Sequence, residues 1–327
     1  MLIRCIGIPI NTQGADFPMK RFFCLLLTLV LALTALPVMA DQPKPIEVIP
    51  YDQLPEPSPG QHHYLLLCVD QWYGKPHNLG NTDGIVLVTL DTRAHRIMLT
   101  SLIRDALVVR PDGVIGRVTY IAKTFGPEAL CRVLSEHFGV KIEDYILFDF
   151  SQISNIIDHL GGVDITVTNA EADYLNRYRI SRTSTSPSMG KAGTYRFYGH
   201  AAVIYMRIRK VGGGGDLMRT QRVRTVLSTL ADQCREITYE QARALVDSVM
   251  ENCTLTNMNL EKMLEAMDQA FGLRGCTIEE LRIPPTEDMA TPISYAGMSV
   301  KEIDWVASRA AMEEYLASSF LVLDEEE

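Results

Sequence analysis

Apolar residues in this chain come in short blocks separated by polar turns, and their spacing differs from block to block. His63 to Asp70 (HYLLLCVD) reads as a buried strand ending in an acid. Gly84 to Leu90 (GIVLVTL) and Arg96 to Leu102 (RIMLTSL) read as two more strands joined by a polar turn. Pro111-Asp112-Gly113 marks a turn. Pro127 to Phe138 is apolar at Ala129, Leu130, Val133, Leu134 and Phe138, the spacing of one helix face. Tyr145 to Phe150 reads as a strand, Ser151 to Leu160 as a short helix closed by Gly161-Gly162, and Val163 to Val167 as a strand. Met206 and Ile208 alternate with Arg207 and Arg209, which predicts an extended Tyr205–Arg209 with both arginines on one face. Beyond the glycine run Gly212 to Gly215, Asp216 is the expected N-cap of a helix over 216–235. Further helices are expected over 239–251 and 258–271, then a strand from Thr277 to Ile283 and a last helix from Val300 to Ser319. Strands alternating with helices, several of them apolar almost throughout, need a sheet covered on both sides. The expected fold class is α/β: a three-layer sandwich with a central mixed β-sheet and helices on both faces.

Segment boundaries follow from the ends of the chain. Met19-Lys20-Arg21, the apolar Phe22 to Leu36 and the small-residue pattern Val38-Met39-Ala40 make residues 1–40 an N-terminal extension with a signal peptide or signal anchor. Residues 41–60, with Pro43, Pro45, Pro50, Pro55, Pro57 and Pro59, read as an extended linker. Residues 61–327 are then the extracytoplasmic working domain, with its motifs over 64–230 and a mostly helical part over 231–327. Arg179 to Lys191, rich in Ser and Thr, reads as a loop able to lie over a site. A chain of 327 residues, 47% hydrophobic and with a formal charge of -9, has the composition of a globular protein and lacks the broad basic surface of a nucleic-acid binder. Outside the targeting segment lie Cys68, Cys131, Cys234, Cys253 and Cys276, with no zinc-site spacing.

Against that acidic background, Tyr205 to Arg224 packs six basic residues (Arg207, Arg209, Lys210, Arg219, Arg222 and Arg224) around one acid, Asp216. Arginines in the first turns of a helix oppose its dipole, whereas an anion there is favoured. Planar, permanently charged forks suit bidentate phosphate binding. Asp70 and Asp83 each stand where an apolar strand meets a polar loop, a common ligand position in α/β folds, and Arg104-Asp105 follows another strand directly. Two carboxylates there suit a hard dication, magnesium with manganese as the alternative. The chain has no GxSxG, HExxH, GxxxxGK[ST] or CxxC pattern. What remains is equipment for phosphoryl transfer by positioning and charge neutralisation.

The ordered segments TDGIVLVTLD, SLIRD, DYILFDFSQISNIIDHLGGVDITV, GTYRFYGHAAVIYMRIR and DLMRTQR resemble the LytR-CpsA-Psr family over roughly Tyr64 to Leu230. The resemblance implies an enzyme on the outer face of a bacterial membrane. Such an enzyme transfers wall teichoic acid or capsular polysaccharide from a polyprenyl-pyrophosphate carrier to peptidoglycan, and works at the membrane surface with no nucleic-acid partner. It implies that Asp70 and Asp83 hold magnesium and that Arg104, Arg207, Arg209 and Arg219 bind pyrophosphate. Asp105, Asp216 and Arg222 occupy motif positions whose role it leaves open, Arg222 counting with the anion binders and Asp105 as the group that orients an arginine or the acceptor. It also implies a hydrophobic pocket in the α/β core for the polyprenyl tail. Three positions depart from the family pattern: Asn81 stands where an arginine is usual, Arg117-Val118-Thr119 replaces Lys-x-Asn, and Val223 replaces a glutamine. A non-catalytic binder of polyprenyl phosphates or anionic wall polymers, and a lipid-pyrophosphate hydrolase, are the alternative readings.

Overall fold

The computed structural model describes residues 42–72, 77–177, 189–212 and 215–317. The targeting segment expected over 1–40 lies outside these residues, as do most of the 179–191 loop and the end of the last expected helix.

Strands β1 (Gln61–Val69), β2 (Thr82–Asp91) and β3 (Arg96–Leu102) form an antiparallel meander. The small hairpin β4 (Leu107–Val109) and β5 (Ile115–Arg117) follows, with the Pro111-Asp112-Gly113 turn at its tip. Helices α1 (Ile121–Phe125) and α2 (Pro127–Phe138) lead to β6 (Asp144–Phe148), which pairs parallel with β1. Next come α3 (Phe150–His159), β7 (Val163–Val167), α4 (Asn169–Arg177), β8 (Gly193–Phe197), α5 (Gly199–Met206) and α6 (Gly215–Gln233). The chain continues through α7 (Tyr239–Asn252), β9 (Leu255–Thr256), α8 (Leu260–Gly272) and β10 (Thr277–Ile283), and ends with the hairpin β11 (Ala290–Tyr295) and β12 (Met298–Ile303) and helix α9 (Trp305–Ala317). Six strands make the central sheet in the order β10-β3-β2-β1-β6-β9, with parallel and antiparallel pairs, so the mixed three-layer arrangement expected from the sequence is the one observed.

The two faces of the sheet are filled differently. Side chains alternate along β1, and Leu65, Leu67 and Val69 are fully buried against α2 and α9, where Leu130, Leu134, Trp305 and Met312 complete a dense core. Tyr64, Leu66 and Cys68 point to the other face and are only half-buried. Helices α7 and α8 cover that face through Val246, Met263 and Met267. A third cluster, built on Phe150, Ile157, Val163, Phe197 and Ala202, joins α3, α4, α5 and the β7–β8 pair.

Several local expectations are corrected. β7 pairs with β8 in a separate two-stranded sheet, not in the central one. The 231–317 part carries four strands besides its helices, and Val300 to Ile303 is strand because it pairs with Ala290 to Ile293 before α9 begins. The proline-rich stretch is extended but docked rather than a free tether. The Ile49 amide donates to Glu136 O (3.0 Å), the Glu47 carbonyl accepts from Arg309 Nη1 (2.7 Å), and Leu54 is buried. The five cysteines outside the targeting segment are all free thiols.

Candidate anion and lipid site

The site begins with a break in the β1–β2 ladder. Cys68 pairs with Gly84 but Val69 pairs with Thr82, so Asp83 is the extra residue of a β-bulge, a device that re-aims a side chain. Gly84 keeps the strands close there, because a Cβ on it would lie 2.9 Å from Cys68 Cβ. Past the bulge the Asp70 amide donates to Asn81 O (2.7 Å), which holds the two acid-bearing strand ends together.

Three arginines meet on Asp83, which is 8% exposed. Arg104 Nη1 donates to Oδ1 (2.6 Å), and Arg219 Nη1 (2.9 Å) and Arg209 Nη2 (3.1 Å) both donate to Oδ2. Arg219 also donates to the Asp83 carbonyl at 3.1 Å. Asp70 stands nearer the rim and accepts from Arg207 Nη2 at 2.9 Å. The Arg207 guanidinium lies 4.3 Å from the Phe150 ring centre, and Phe150 meets Trp72 edge-on, so an aromatic wall backs the rim. Four guanidiniums around two carboxylates leave a surplus of two positive charges, the charge of a pyrophosphate diester with the sign reversed.

The backbone that delivers these arginines differs from the alternating strand read from the sequence. Tyr205 and Met206 end helix α5, and Arg207 is its C-cap in a right-handed helical conformation. Arg207 and Arg209 therefore reach different aspartates instead of lying side by side. Helix α5 is placed by contact with α3: a Cβ on Gly199 would lie 1.9 Å from the Ser154 carbonyl oxygen, and the Gly199 amide donates to Asp158 Oδ1 at 2.8 Å. Asp216 also moves, because α6 already begins at Gly215 and Asp216 lies in its first turn rather than capping it.

Arg222 does not face the anion site. It is 2% exposed and pairs with buried Glu171 (2.8 Å), while its other nitrogens donate to Ile208 O (2.8 Å) and Val211 O (3.0 Å). Its fork fixes the loop that carries Arg207 and Arg209. Arg224 is likewise structural, bonded to Glu280, Gln221 and Ser101. Asp105 accepts from Arg117 and lies 3.5 Å from Arg104 Nε, so it orients Arg104 from behind. Thr119, passed over as a site residue, donates to Thr82 O (2.8 Å) and its amide to Arg104 O (3.3 Å), which ties the bulge to the arginine.

On the half-buried face of the sheet lies a cavity of about 400 Å³, lined almost wholly by apolar side chains that include Tyr64, Leu66, Val88, Ile146, Val246 and Met267. Tyr64 and Leu66 line the cavity, Cys68 follows them on the same face of β1, and Asp70 comes just past the strand end. Burial, and after it the Asp83 carboxylate, push the Cys68 thiol well up, so it stands between cavity and cluster as a neutral small side chain and not as a thiolate nucleophile. No three His, Cys, Asp or Glu side chains form a metal cage among the described residues. Asp70 and Asp83 bring two hard oxygen donors to one strand end, which fits a dication that completes its shell with phosphate oxygens and water. Among the described residues no helix is long and apolar enough to cross a membrane.

Similarity to known proteins follows this geometry. The chain is 24% identical over 250 residues to the polyisoprenyl-teichoic acid–peptidoglycan teichoic acid transferase TagU of Oceanobacillus iheyensis, covering 75% of this chain and 73% of that one. It is 24% identical over 238 residues to TagV of Bacillus subtilis, a transferase of the same designation, covering 71% of this chain and only 52% of the relative. Among solved structures, the LytR-CPS2A-psr family protein YwtF (TagT) with bound octaprenyl pyrophosphate lipid shares the fold, with a TM-score of 0.61 at 18% identity over 84% of this chain and 96% of that one. The sequence matches the model of the LytR_cpsA_psr family across residues 47–311, which takes in the acid-bearing strand ends, all four arginines of the cluster and the cavity helices, and the chain belongs to that family.

Proposed function

We propose that this protein transfers a glycopolymer of the wall teichoic acid or capsular polysaccharide type from a polyprenyl-pyrophosphate carrier to peptidoglycan, at the outer face of the membrane. One observation carries the reading: a surplus of two positive charges stands past the end of β1, and an apolar cavity lies on the sheet face lined by Tyr64 and Leu66 of the same strand. A lipid pyrophosphate is the ligand with that pairing of dianionic head and long hydrocarbon tail.

Arg104, Arg207, Arg209 and Arg219 bind the pyrophosphate oxygens and neutralise charge that grows on the departing phosphate. Magnesium, with manganese as the alternative, would be held by Asp70 and Asp83 and would supply further charge neutralisation. An acceptor hydroxyl attacks the phosphorus that bears the glycan. A bond forms between that oxygen and phosphorus, and the bridging P–O bond breaks. Polyprenyl phosphate leaves with the bonding pair, and the hydroxyl proton passes to solvent. Arg222 positions the loop bearing Arg207 and Arg209, and Asp105 positions Arg104.

Asn81, in place of a further arginine, favours a second reading in which the same site binds the lipid without turnover. The full chain, a synthetic polyprenyl-pyrophosphate glycan and peptidoglycan decide between them. Release of polyprenyl phosphate with the glycan attached to the acceptor, suppressed by chelation, is the expected result. Loss of one charge-assisted contact in Arg209→Ala costs about 1.5–3 kcal/mol, a rate loss of roughly 10- to 150-fold. Binding without release supports the second reading, and release without an acceptor would make the protein a hydrolase.

A further inference from the structure

A second pocket, of about 180 Å³, lies between the β4–β5 hairpin, helix α1 and the tip of the β11–β12 hairpin, and neither the lipid cavity nor the arginine cluster accounts for it. Arg110, Arg117, Tyr120, Phe125 and Tyr295 form its walls. The pocket is built with care for two guanidiniums. A Cβ on Gly116 would lie 2.6 Å from Arg110 Cδ, so the glycine lets the Arg110 stem lie flat across β5. Asp112 holds that guanidinium through Nε (3.1 Å) and Nη2, 5.4 Å from the Phe125 ring centre. Arg117 is held by Asp105 and lies 5.4 Å from the Tyr120 ring centre, and its Nε is buried with no acceptor among the described residues. At the hairpin tip Ala296 takes φ 49°, a conformation costly for a residue with a Cβ, next to Tyr295 in the pocket wall.

Asp112 pairs with Arg110, and Asp105 pairs with Arg117 while also facing Arg104, so each guanidinium here already meets a carboxylate and the pocket does not call for a second anion. Tyr295 and the aromatic edges of Tyr120 and Phe125, beside two fixed guanidinium donors, match a pyranose ring, which has an apolar C–H face and a hydroxyl edge. Its position gives the ring a role. Ile121 lines this pocket and belongs to the core on the Leu65 and Leu67 side of the sheet, whereas the lipid cavity lies on the Tyr64 and Leu66 side. The arginine cluster stands at the strand ends between them, joined to the pocket by the chain Arg117–Asp105–Arg104–Asp83. Attacking and leaving oxygens lie roughly in line in phosphoryl transfer. With polyprenyl phosphate leaving on the cavity side, the acceptor approaches from the side of this pocket.

We propose that the Arg110/Arg117/Tyr295 pocket is the acceptor subsite and binds one pyranose ring of the glycan that receives the polymer. The proposal rests on the transfer reading above, and its test separates the two. Saturation-transfer NMR with the full chain and a β-1,4-linked N-acetylglucosamine tetramer measures the pocket without turnover. Contact with the wild type that is lost in Tyr295→Ala and in Arg110→Gln, with unfolding temperatures unchanged, is the expected result. In the transfer assay Tyr295→Ala then raises the acceptor KM about tenfold with kcat nearly constant, as loss of an aromatic contact predicts. No contact with the wild type, or equal contact in all three proteins, overturns the subsite. Tetramer binding by a wild type that releases no polyprenyl phosphate would instead defeat the transfer reading and leave the pocket as a glycan site.

Discussion

Single side chains decide how firmly this site is held. Buried Arg222 bonds Glu171 and two carbonyls of the loop that presents Arg207 and Arg209. Arg222→Lys keeps the charge beside Glu171 but loses the planar fork. The expected result is a transfer rate at least tenfold lower with a modest change in denaturant midpoint. Arg222→Ala should unfold more readily, by about 3–5 kcal/mol, because it leaves Glu171 buried without its cation. Equal activity in Arg222→Lys and wild type would remove the positioning role. Two buried histidines give the fold a pH limit. His137 accepts from the Val109 amide on Nε2 (3.0 Å) and donates from Nδ1 to Val133 O, so it is neutral, and burial lowers its pKa to about 4. Burial, with His62 adding to it, lowers His63 to about 4 as well. Between pH 6.5 and about 4 the unfolded chain binds protons that the folded chain does not, so stability falls as pH drops through that window, by about 3 kcal/mol per histidine. Urea unfolding at pH 7 and pH 4.5 checks this, with His137→Gln expected to flatten the dependence. The sequence shows these arginines as one basic cluster. It cannot show that Arg222 turns inward while Arg219 turns to Asp83, since both lie on one helix at i and i+3 and only the packed neighbours separate them.

At the level of elements, what was legible followed periodicity and length. Pro127–Phe138, Arg96–Leu102, Val163–Val167 and Thr277–Ile283 have the bounds expected from the pattern. YMRIR misled because two apolar and two basic residues in alternation satisfy a strand, while the preceding apolar run, Ala201 to Met206, fits a buried helix equally well. The β4–β5 hairpin, with three residues in each strand, carries too few to announce itself, and β11–β12 turns on Ala296-Gly297 rather than on the usual asparagine and glycine. The packing of α5 on α3 depends on one absent side chain. Gly199→Ala places a methyl against the Ser154 carbonyl, so the helix must shift and its C-terminal Arg207 with it. The expected cost is about 1–3 kcal/mol of stability, with a loss of activity beyond what that destabilisation accounts for. Wild-type activity in Gly199→Ala, measured where the protein is fully folded, would contradict the account of how Arg207 is placed.

The whole molecule is a sheet with unequal faces. One face is packed to core density against α2 and α9, and the other leaves an apolar space under α7 and α8, while four arginines and two aspartates gather beyond the end of β1. The two carboxylates and the arginine motifs can be read from the residues themselves, whereas the hydrophobic pocket is expected from the family resemblance alone. Tyr64, Leu66 and Val88 have the residue types of a packed core, and only their half-buried state distinguishes them from Leu65 and Leu67. The central claim is that a single lipid pyrophosphate occupies both regions at once. Its most direct test is a crystal structure of the protein in complex with a polyprenyl pyrophosphate. The account predicts pyrophosphate oxygens within hydrogen-bond distance of Arg207, Arg209 and Arg219 and an isoprenoid chain against Leu66 and Tyr64. A head group bound away from these arginines, or a tail outside the cavity between the sheet and α7–α8, would contradict it.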